Sequence, residues 1–241
     1  MNENMGHKKL IRFAAIKTYP HVLEYPQDMP GKWGAFFGNQ HPITLELACG
    51  KGEYTVGLAR LYPERNYIGV DIKGNRIWVG ATKVLQENLK NAAFLRSQIE
   101  FLPSYFTPGE VKEIWITFPD PQLNISRAKK RLTHPRFLRL YKEILATDGV
   151  INLKTDSPDL YTFTLAVARI YELPVYEATE NVYAEETVSD ELRIRTHYES
   201  LDIARSGTIH YLRFGVNDLL HSEERNEALK EYLLATEQPT A

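Results

Sequence analysis

A doubly wound, Rossmann-like α/β architecture is predicted for this 241-residue chain. Short apolar runs rich in β-branched residues alternate with longer segments whose apolar residues recur at helical spacing. Strands that alternate with helices form a parallel sheet, because right-handed crossovers return the chain to the same end of the sheet. With 43% hydrophobic and 25% charged residues, the composition is that of an ordinary globular protein.

The predicted strands each end at a turn. They cover Ile43–Leu47, Tyr67–Val70, Ala93–Arg96, Glu113–Thr117, Val150–Leu153 and Thr208–Val216. Helical patterns lie between them at Tyr54–Leu61, Arg76–Leu89, Phe137–Leu145 and Leu160–Ile170, and the third of these is expected to stop at Asp148-Gly149. Each strand is thus followed by a helix or a turn that starts at the same edge of the sheet.

The chain divides into three predicted parts. Residues 1–40 alternate prolines with aromatic residues and are expected to form a wrapping arm with little regular structure. Residues 41–220 form the single folded domain, and residues 221–241 form an acidic helical tail.

Bulk features exclude several classes of protein. A single cysteine, Cys49, rules out an intrachain disulfide and favours a reducing, cytoplasmic setting. No apolar run approaches the roughly 20 residues that span a bilayer, and Met1–Lys9 lacks the apolar core of a signal peptide. No Cys, His and Asp grouping has metal-ligand spacing. We expect a cytoplasmic protein without a membrane or metal partner.

The most informative segment is Phe118-Pro119-Asp120-Pro121, directly after the strand Glu113–Thr117. An apolar strand that ends in a prolyl turn delivers a carboxylate to the sheet edge where α/β proteins bind ligands. A cationic run without an acidic residue follows, comprising Arg127, Lys129, Lys130, Arg131, Arg136 and Arg139. A solvated helix face is the plainer interpretation of such a run, but its lack of compensating acids favours RNA contact.

A second constellation surrounds the first predicted strand. Gly50 and Gly52 follow it and allow a sharp turn and a close approach to a ligand. Asp71 ends the second strand, where an acid takes the ribose hydroxyls of an adenosine cofactor. The glycine spacing differs from the dinucleotide pattern, and Glu46 points to a cofactor with a cationic amine. Together they favour S-adenosylmethionine over a pyrophosphate cofactor.

The ordered motifs LELACGKGEY, YIGVDIKG, FPDPQ…KKRLTHPRFL, LKTDSPDLY and RTHYE resemble the bacterial tRNA (guanine-N7)-methyltransferase family of the TrmB type. The resemblance implies a class I S-adenosylmethionine-dependent methyltransferase with a mostly parallel seven-stranded sheet and helices on both faces. It implies methyl transfer to N7 of guanosine 46 in the tRNA variable loop, with tRNA rather than DNA as partner. Monomer and homodimer both stay open.

The resemblance also assigns site residues. Asp120 would be catalytic and would contact the cofactor together with Glu46, Gly50, Gly52, Asp71 and Gln98. The guanosine would be held by Asn124, Asp156, Thr196, His197, Tyr198 and Glu199. The RNA-contacting segment would comprise Ser126, Arg127, Lys129, Lys130 and Arg131.

Four positions depart from the family pattern. Gln122 and Asn124 stand where the family usually has Trp and Lys, Gln98 replaces an expected acid, and Ala48 replaces a glycine. Two other functions stay open. One is a methyltransferase that acts on an exocyclic amine, because Pro119-Asp120-Pro121-Gln122 is similar to the Asp-Pro-Pro-aromatic motif of those enzymes. The other, indicated by Gln98 and Asn124, is an RNA-binding protein that kept the fold without turnover.

Overall fold

A computed structural model describes residues 3–201 and 207–237 of the chain. These residues contain one eight-stranded sheet in the order β1-β4-β3-β2-β5-β6-β8-β7. Its strands are β1 (Val22–Glu24), β2 (Ile43–Leu47), β3 (Asn66–Asp71), β4 (Ala92–Arg96), β5 (Val111–Thr117), β6 (Leu145–Thr155), β7 (Val175–Thr179) and β8 (His210–Phe214). The first six strands in this order pair in parallel, and only β8 runs antiparallel to its neighbours β6 and β7.

Helices connect the strands. Their bounds are α1 (Glu3–Ile16), α2 (Trp33–Phe37), α3 (Glu53–Leu61), α4 (Gly74–Glu87), α5 (Pro135–Ile144), α6 (Pro158–Ile170), α7 (Asp190–Arg193) and α8 (Glu223–Glu237). A short 3-10 helix at Ile125–Lys130 lies between β5 and α5. In the described ranges no helix is both long enough and apolar enough to cross a membrane.

Alternate side chains of each strand serve opposite faces of the sheet. Ile68 and Val70 of β3 belong to a core with the buried residues of α5 and α6. Tyr67 of the same strand packs instead with the buried residues of α3 and α4. The period-two alternation thus places helices on both faces, as a doubly wound sheet requires.

The first forty residues are a correction to the sequence prediction, since they contain regular structure. Helix α1 packs on α4, where the Arg12 guanidinium lies 4.7 Å from the Trp78 ring. Strand β1 adds an eighth strand through parallel pairing with β4. The prediction failed because β1 has only three residues and all are half-buried, so no alternation is visible. Residues 1, 2 and 238–241 of the predicted arm and tail lie outside the described residues.

Helix α5 ends earlier than expected. It stops at Ile144 rather than at Asp148-Gly149, because Leu145 is already extended and pairs with Val111 of β5. Strand pairing therefore overrides the local stop signal. The remaining predicted strands and helices agree with the structure to within a few residues.

Candidate active site

The carboxyl ends of four central strands meet at one edge of the sheet, because β4, β3, β2 and β5 are consecutive neighbours. The turn after β2 bends sharply there, with left-handed φ values of 55° at Gly50 and 69° at Gly52. A Cβ atom at Gly52 would lie 2.5 Å from Cε1 of Phe94. Gly52 therefore cannot carry a side chain without moving the buried Phe94 ring.

Asp71, at the end of β3, holds this turn in place. Its Oδ2 accepts a hydrogen bond of 2.9 Å from the Gly50 N–H, and its Oδ1 accepts one of 2.8 Å from the Lys73 N–H. A carboxylate offers about four acceptor positions, so both oxygens keep capacity for a ligand.

A cavity of about 420 Å³ opens beside Asp71. It is lined by Ala48, Asp71, Ile72, Ser97, Gln98, Ile99, Glu100, Lys130, Leu132, Arg136 and Phe137. The structure thus brings Asp71 and Gln98, two of the predicted cofactor residues, to the wall of one cavity. Its volume is within the range of roughly 300–1,000 Å³ that small-molecule sites occupy.

Glu46 lies inside the sheet, with only 3% of its surface exposed. Its Oε2 accepts hydrogen bonds from the Thr55 N–H at 2.7 Å and the Thr55 Oγ1 at 2.5 Å, while Oε1 accepts from Thr117 Oγ1 at 3.2 Å. Burial raises the pKa of Glu46 to about 7, against the lowering effect of the Thr55 hydrogen bonds. Since these three donors are neutral, a nearby cationic amine would favour the ionised carboxylate.

Asp120 is exposed at the end of β5, within a strained turn. Phe118 and Gln122 on either side of it have left-handed φ values of 47° and 48°. Such values are costly for residues with a side chain and cluster at functional sites. The Asp120 Oδ1 accepts a 3.0 Å hydrogen bond from the Gln122 N–H, which fixes the carboxylate at the turn.

The basic segment after this turn divides into exposed and buried residues. Ser126, Arg127, Lys129 and Lys130 are exposed on the 3-10 helix. Arg131 is a correction, because it is only 5% exposed and so is not positioned to contact RNA. Its guanidinium donates to the carbonyls of Gln122 and Leu123 and lies 4.4 Å from the Phe163 ring. Arg131 therefore anchors the turn that carries Asp120.

The predicted guanosine residues occupy three loops. Asn124 is exposed just before the 3-10 helix, and Asp156 is half-buried directly after β6. Thr196 is buried, and its Oγ1 accepts a 3.1 Å hydrogen bond from the Glu199 N–H, whereas His197 is exposed. Tyr198 lies over the glycine turn, since a Cβ atom at Gly50 would be 3.6 Å from its Cε2.

Lys154 of β6 is the residue that sequence reasoning missed. It is fully buried, and its ammonium lies 3.0 Å from Glu199 Oε2. Burial lowers the pKa of Lys154, an effect that the Glu199 carboxylate opposes. A lysine inside an apolar strand was the available signal, because lysine is almost never fully buried without a partner.

The residues at the cavity fit an adenosine cofactor. Ile99, Leu132 and Phe137 supply apolar wall for a flat base, and the Gln98 amide offers both a donor and an acceptor. Asp71 keeps acceptor capacity for ribose hydroxyls. Within the described ranges no group of three or more His, Cys, Asp or Glu side chains is arranged to hold a metal ion.

Comparison with known proteins places the chain in a family. Residues 40–212 match a family model described as "Putative methyltransferase". The chain is 49% identical over 219 residues to a tRNA (guanine-N(7)-)-methyltransferase from Bacteroides thetaiotaomicron, covering 87% of this chain and 86% of that protein. It is 50% identical over 215 residues to the enzyme of the same name from Porphyromonas gingivalis, covering 84% of this chain and 87% of that protein.

Solved structures share the fold at low sequence identity. The 16S rRNA methyltransferase KamB superposes with a TM-score of 0.59 at 15% identity, covering 82% of this chain and 99% of that one. A mutant of the 16S rRNA (adenine(1408)-N(1))-methyltransferase from Catenulisporales acidiphilia, solved with S-adenosylmethionine, gives a TM-score of 0.52 at 15% identity, covering 80% of this chain and 94% of that one. These neighbours establish the class I methyltransferase fold. By its matched domain and its near relatives, the chain belongs to the tRNA (guanine-N7)-methyltransferase family.

Proposed function

We propose that this protein transfers a methyl group from S-adenosylmethionine to N7 of guanosine 46 in the variable loop of tRNA. The observation that carries the proposal is the exposed Asp120 carboxylate, held in a strained turn on β5, the strand next to the glycine turn of β2. The names of the relatives that match over most of the chain support methyl transfer to N7 of a guanine in tRNA.

The chain's own residues would hold the cofactor and the base. Asp71, Gln98 and the glycine turn would bind the adenosine part, and the Glu46 carboxylate would favour the amino group electrostatically. When bound, S-adenosylmethionine supplies a methyl group on a cationic sulfur. Guanine N7 has a lone pair and no proton, so the site needs no general base at that atom.

Asp120 would act through placement and charge. A carboxylate accepts hydrogen bonds from guanine N1–H and from the exocyclic amine, which orients the ring. Its negative charge also favours the positive charge that the base gains during transfer. In-line placement of the reactants contributes up to roughly 7–11 kcal/mol to such reactions. Asn124, Asp156, Thr196, His197 and Tyr198 would complete the guanosine pocket.

The exposed residues Arg127, Lys129 and Lys130 would position the tRNA through phosphate contacts, while the pocket selects the base. We propose residues 41–220 as the catalytic domain and the arm over residues 1–40 as a further tRNA contact. Because enzymes extrude the base on which they act, the basic segment would hold the RNA while guanosine enters the pocket.

The test is methyl transfer to unmodified tRNA from labelled S-adenosylmethionine, followed by nucleoside analysis. We expect a cationic, alkali-labile N7-methylguanosine, and no product with a transcript in which adenosine replaces guanosine 46. A neutral, alkali-stable methylated amine would contradict the proposal in favour of an amine methyltransferase. Tight tRNA binding without any transfer would contradict it in favour of an RNA-binding protein.

A further inference from the structure

The Lys154 ammonium is buried between β6 and the segment over residues 192–199. Its Nζ donates to the Leu192 carbonyl at 2.9 Å, to the Ile194 carbonyl at 3.1 Å and to Glu199 Oε2 at 3.0 Å. An ammonium has three donors, so this set satisfies it fully. The ring of Tyr54 lies 5.5 Å from the same nitrogen.

Glu199 is occupied from both sides. Its Oε2 accepts from Lys154, and its Oε1 accepts from the Tyr183 hydroxyl. Its side chain is only 5% exposed. Because only 5% of the side chain is exposed, a substrate could reach the remaining acceptor positions of this carboxylate only if the ion pair opened, which would leave a buried charge without its partner.

The same contacts locate two parts of the site relative to each other. The Lys154 side chain fastens the segment that brings Tyr198 over Gly50. The Lys154 carbonyl accepts a 2.8 Å hydrogen bond from the Phe118 N–H, at the start of the turn that carries Asp120. One residue of β6 thus contacts both loops that flank the proposed reaction centre.

We propose that Lys154, Glu199 and Tyr183 form a clasp that positions the segment over residues 192–199, with Glu199 a positioning residue rather than an acceptor for guanosine. This inference rests on the proposed function, since it reassigns one residue of the same site. The hydrogen bonds that select guanine would then come from Asp120, Asp156 and Thr196. The clasp would hold the loops around these residues in their relative positions.

Substitutions at Glu199 separate the two roles. Glu199→Gln removes the charge of the partner, but its amide oxygen still accepts from Lys154, whose ammonium keeps the Leu192 and Ile194 carbonyls as further acceptors. The amide NH2 group faces a Tyr183 hydroxyl that can accept, so the segment over residues 192–199 stays fastened. A guanosine contact would fail in this variant, because the two adjacent N–H donors of guanine need two acceptors. We expect Glu199→Gln to stay within about fivefold of wild-type kcat/KM, and Glu199→Ala and Lys154→Met to lose at least tenfold.

The measurements are steady-state kinetics with unmodified tRNA, calorimetric affinity for S-adenosylmethionine, and amide hydrogen exchange over residues 192–199. We expect faster exchange there in Lys154→Met and Glu199→Ala, wild-type exchange in Glu199→Gln, and cofactor affinity within threefold of wild type in all three. Glu199→Gln as inactive as Glu199→Ala, with wild-type exchange, would overturn the proposal.

Two further variants guard against misfolding as an explanation. Tyr183 is 39% exposed, so Tyr183→Phe is expected to fold, with faster exchange over residues 192–199 and a severalfold lower kcat/KM. Unchanged exchange and kinetics in Tyr183→Phe would count against its place in the clasp. Lys230→Met, which removes an exposed lysine of α8, is the matched control and should leave every readout unchanged. If the wild type methylates no tRNA, the proposed function fails, while the exchange data still decide whether the clasp exists.

Discussion

Three residues with side chains adopt left-handed backbone next to the proposed reaction centre. Ala48 has a φ value of 54° in the turn after β2, and Phe118 and Gln122 flank Asp120. This conformation costs roughly 1–2 kcal/mol for a residue with a Cβ atom. Two short loops at one sheet edge therefore carry backbone strain, which the packed strands beneath them maintain.

Ala48→Gly should relieve part of this strain. We expect the free energy of unfolding to stay unchanged or to rise by up to about 1 kcal/mol, because glycine adopts positive φ freely. In the matched control Ala228→Gly, within helix α8, a loss of roughly 0.5–1 kcal/mol is expected. Equal losses in urea unfolding of both variants would show that Ala48 is not strained.

Glu46 should make stability depend on pH. Its pKa is about 7 in the folded protein against 4.5 ordinarily, so the folded state binds the extra proton. The contribution is fully present below about pH 4.5 and is lost as pH rises through 7. Glu46→Gln keeps an acceptor for Thr55 and does not ionise, so its free energy of unfolding lacks this pH-dependent contribution.

The measurement is urea unfolding of the wild type and Glu46→Gln between pH 4.5 and 8, because other titrating groups cancel in the difference. We expect the wild type to lose stability relative to the variant on the order of 3 kcal/mol across this range, at about 1.4 kcal/mol for each unit of pKa. A difference that does not change with pH would mean that Glu46 stays ionised.

Elements with strong periodicity were predictable, and those fixed by tertiary contacts were not. Strand β2 was predicted at its observed bounds because five consecutive residues, all buried, are apolar or β-branched except Glu46. Helix α1 and strand β1 were not predicted, because contacts with α4 and β4 stabilise them rather than a local pattern of apolar residues. The end of α5 was misplaced because Leu145 gains a partner in β5 that its neighbours in sequence do not reveal.

Two neighbouring cations of the basic segment, Lys129 and Arg131, have different surroundings, so their substitutions should have different effects. Lys129 is exposed, so Lys129→Met should weaken tRNA binding and lower the salt slope by about one, with unchanged stability. Arg131 is buried and anchors two carbonyls, so Arg131→Met should cost about 2–3 kcal/mol of stability. Thermal melts measure the stability of both variants, and tRNA titrations at several salt concentrations measure their RNA affinity. A loss of tRNA affinity in Arg131→Met without a loss of stability would show that Arg131 contacts RNA.

The order of strands decides which distant residues meet across the whole molecule. Since β5 lies between β2 and β6, the Asp120 turn is flanked by the glycine turn and by the loop that starts at Asp156. The predicted parallel sheet placed these three loops at one edge of the sheet, but it did not predict which strands are neighbours and so which loops are adjacent. The Lys154–Glu199 pair was beyond prediction, because 45 residues separate its partners and only the folded chain brings them together.

The central claim is that the Asp120 carboxylate serves the reaction and not the fold. It is exposed, and its hydrogen bond to Gln122 lies within its own turn, so Asp120→Ala should leave the melting temperature nearly unchanged. Asp148→Ala, which removes another exposed carboxylate, is the matched control and should keep wild-type activity.

The most direct measurement is single-turnover methyl transfer to unmodified tRNA at saturating S-adenosylmethionine, for the wild type, Asp120→Ala and Asp148→Ala. We expect Asp120→Ala to lose at least about 100-fold in rate, the effect of removing a group that stabilises developing charge. A folded Asp120→Ala variant that methylates tRNA at a near wild-type rate would contradict the account.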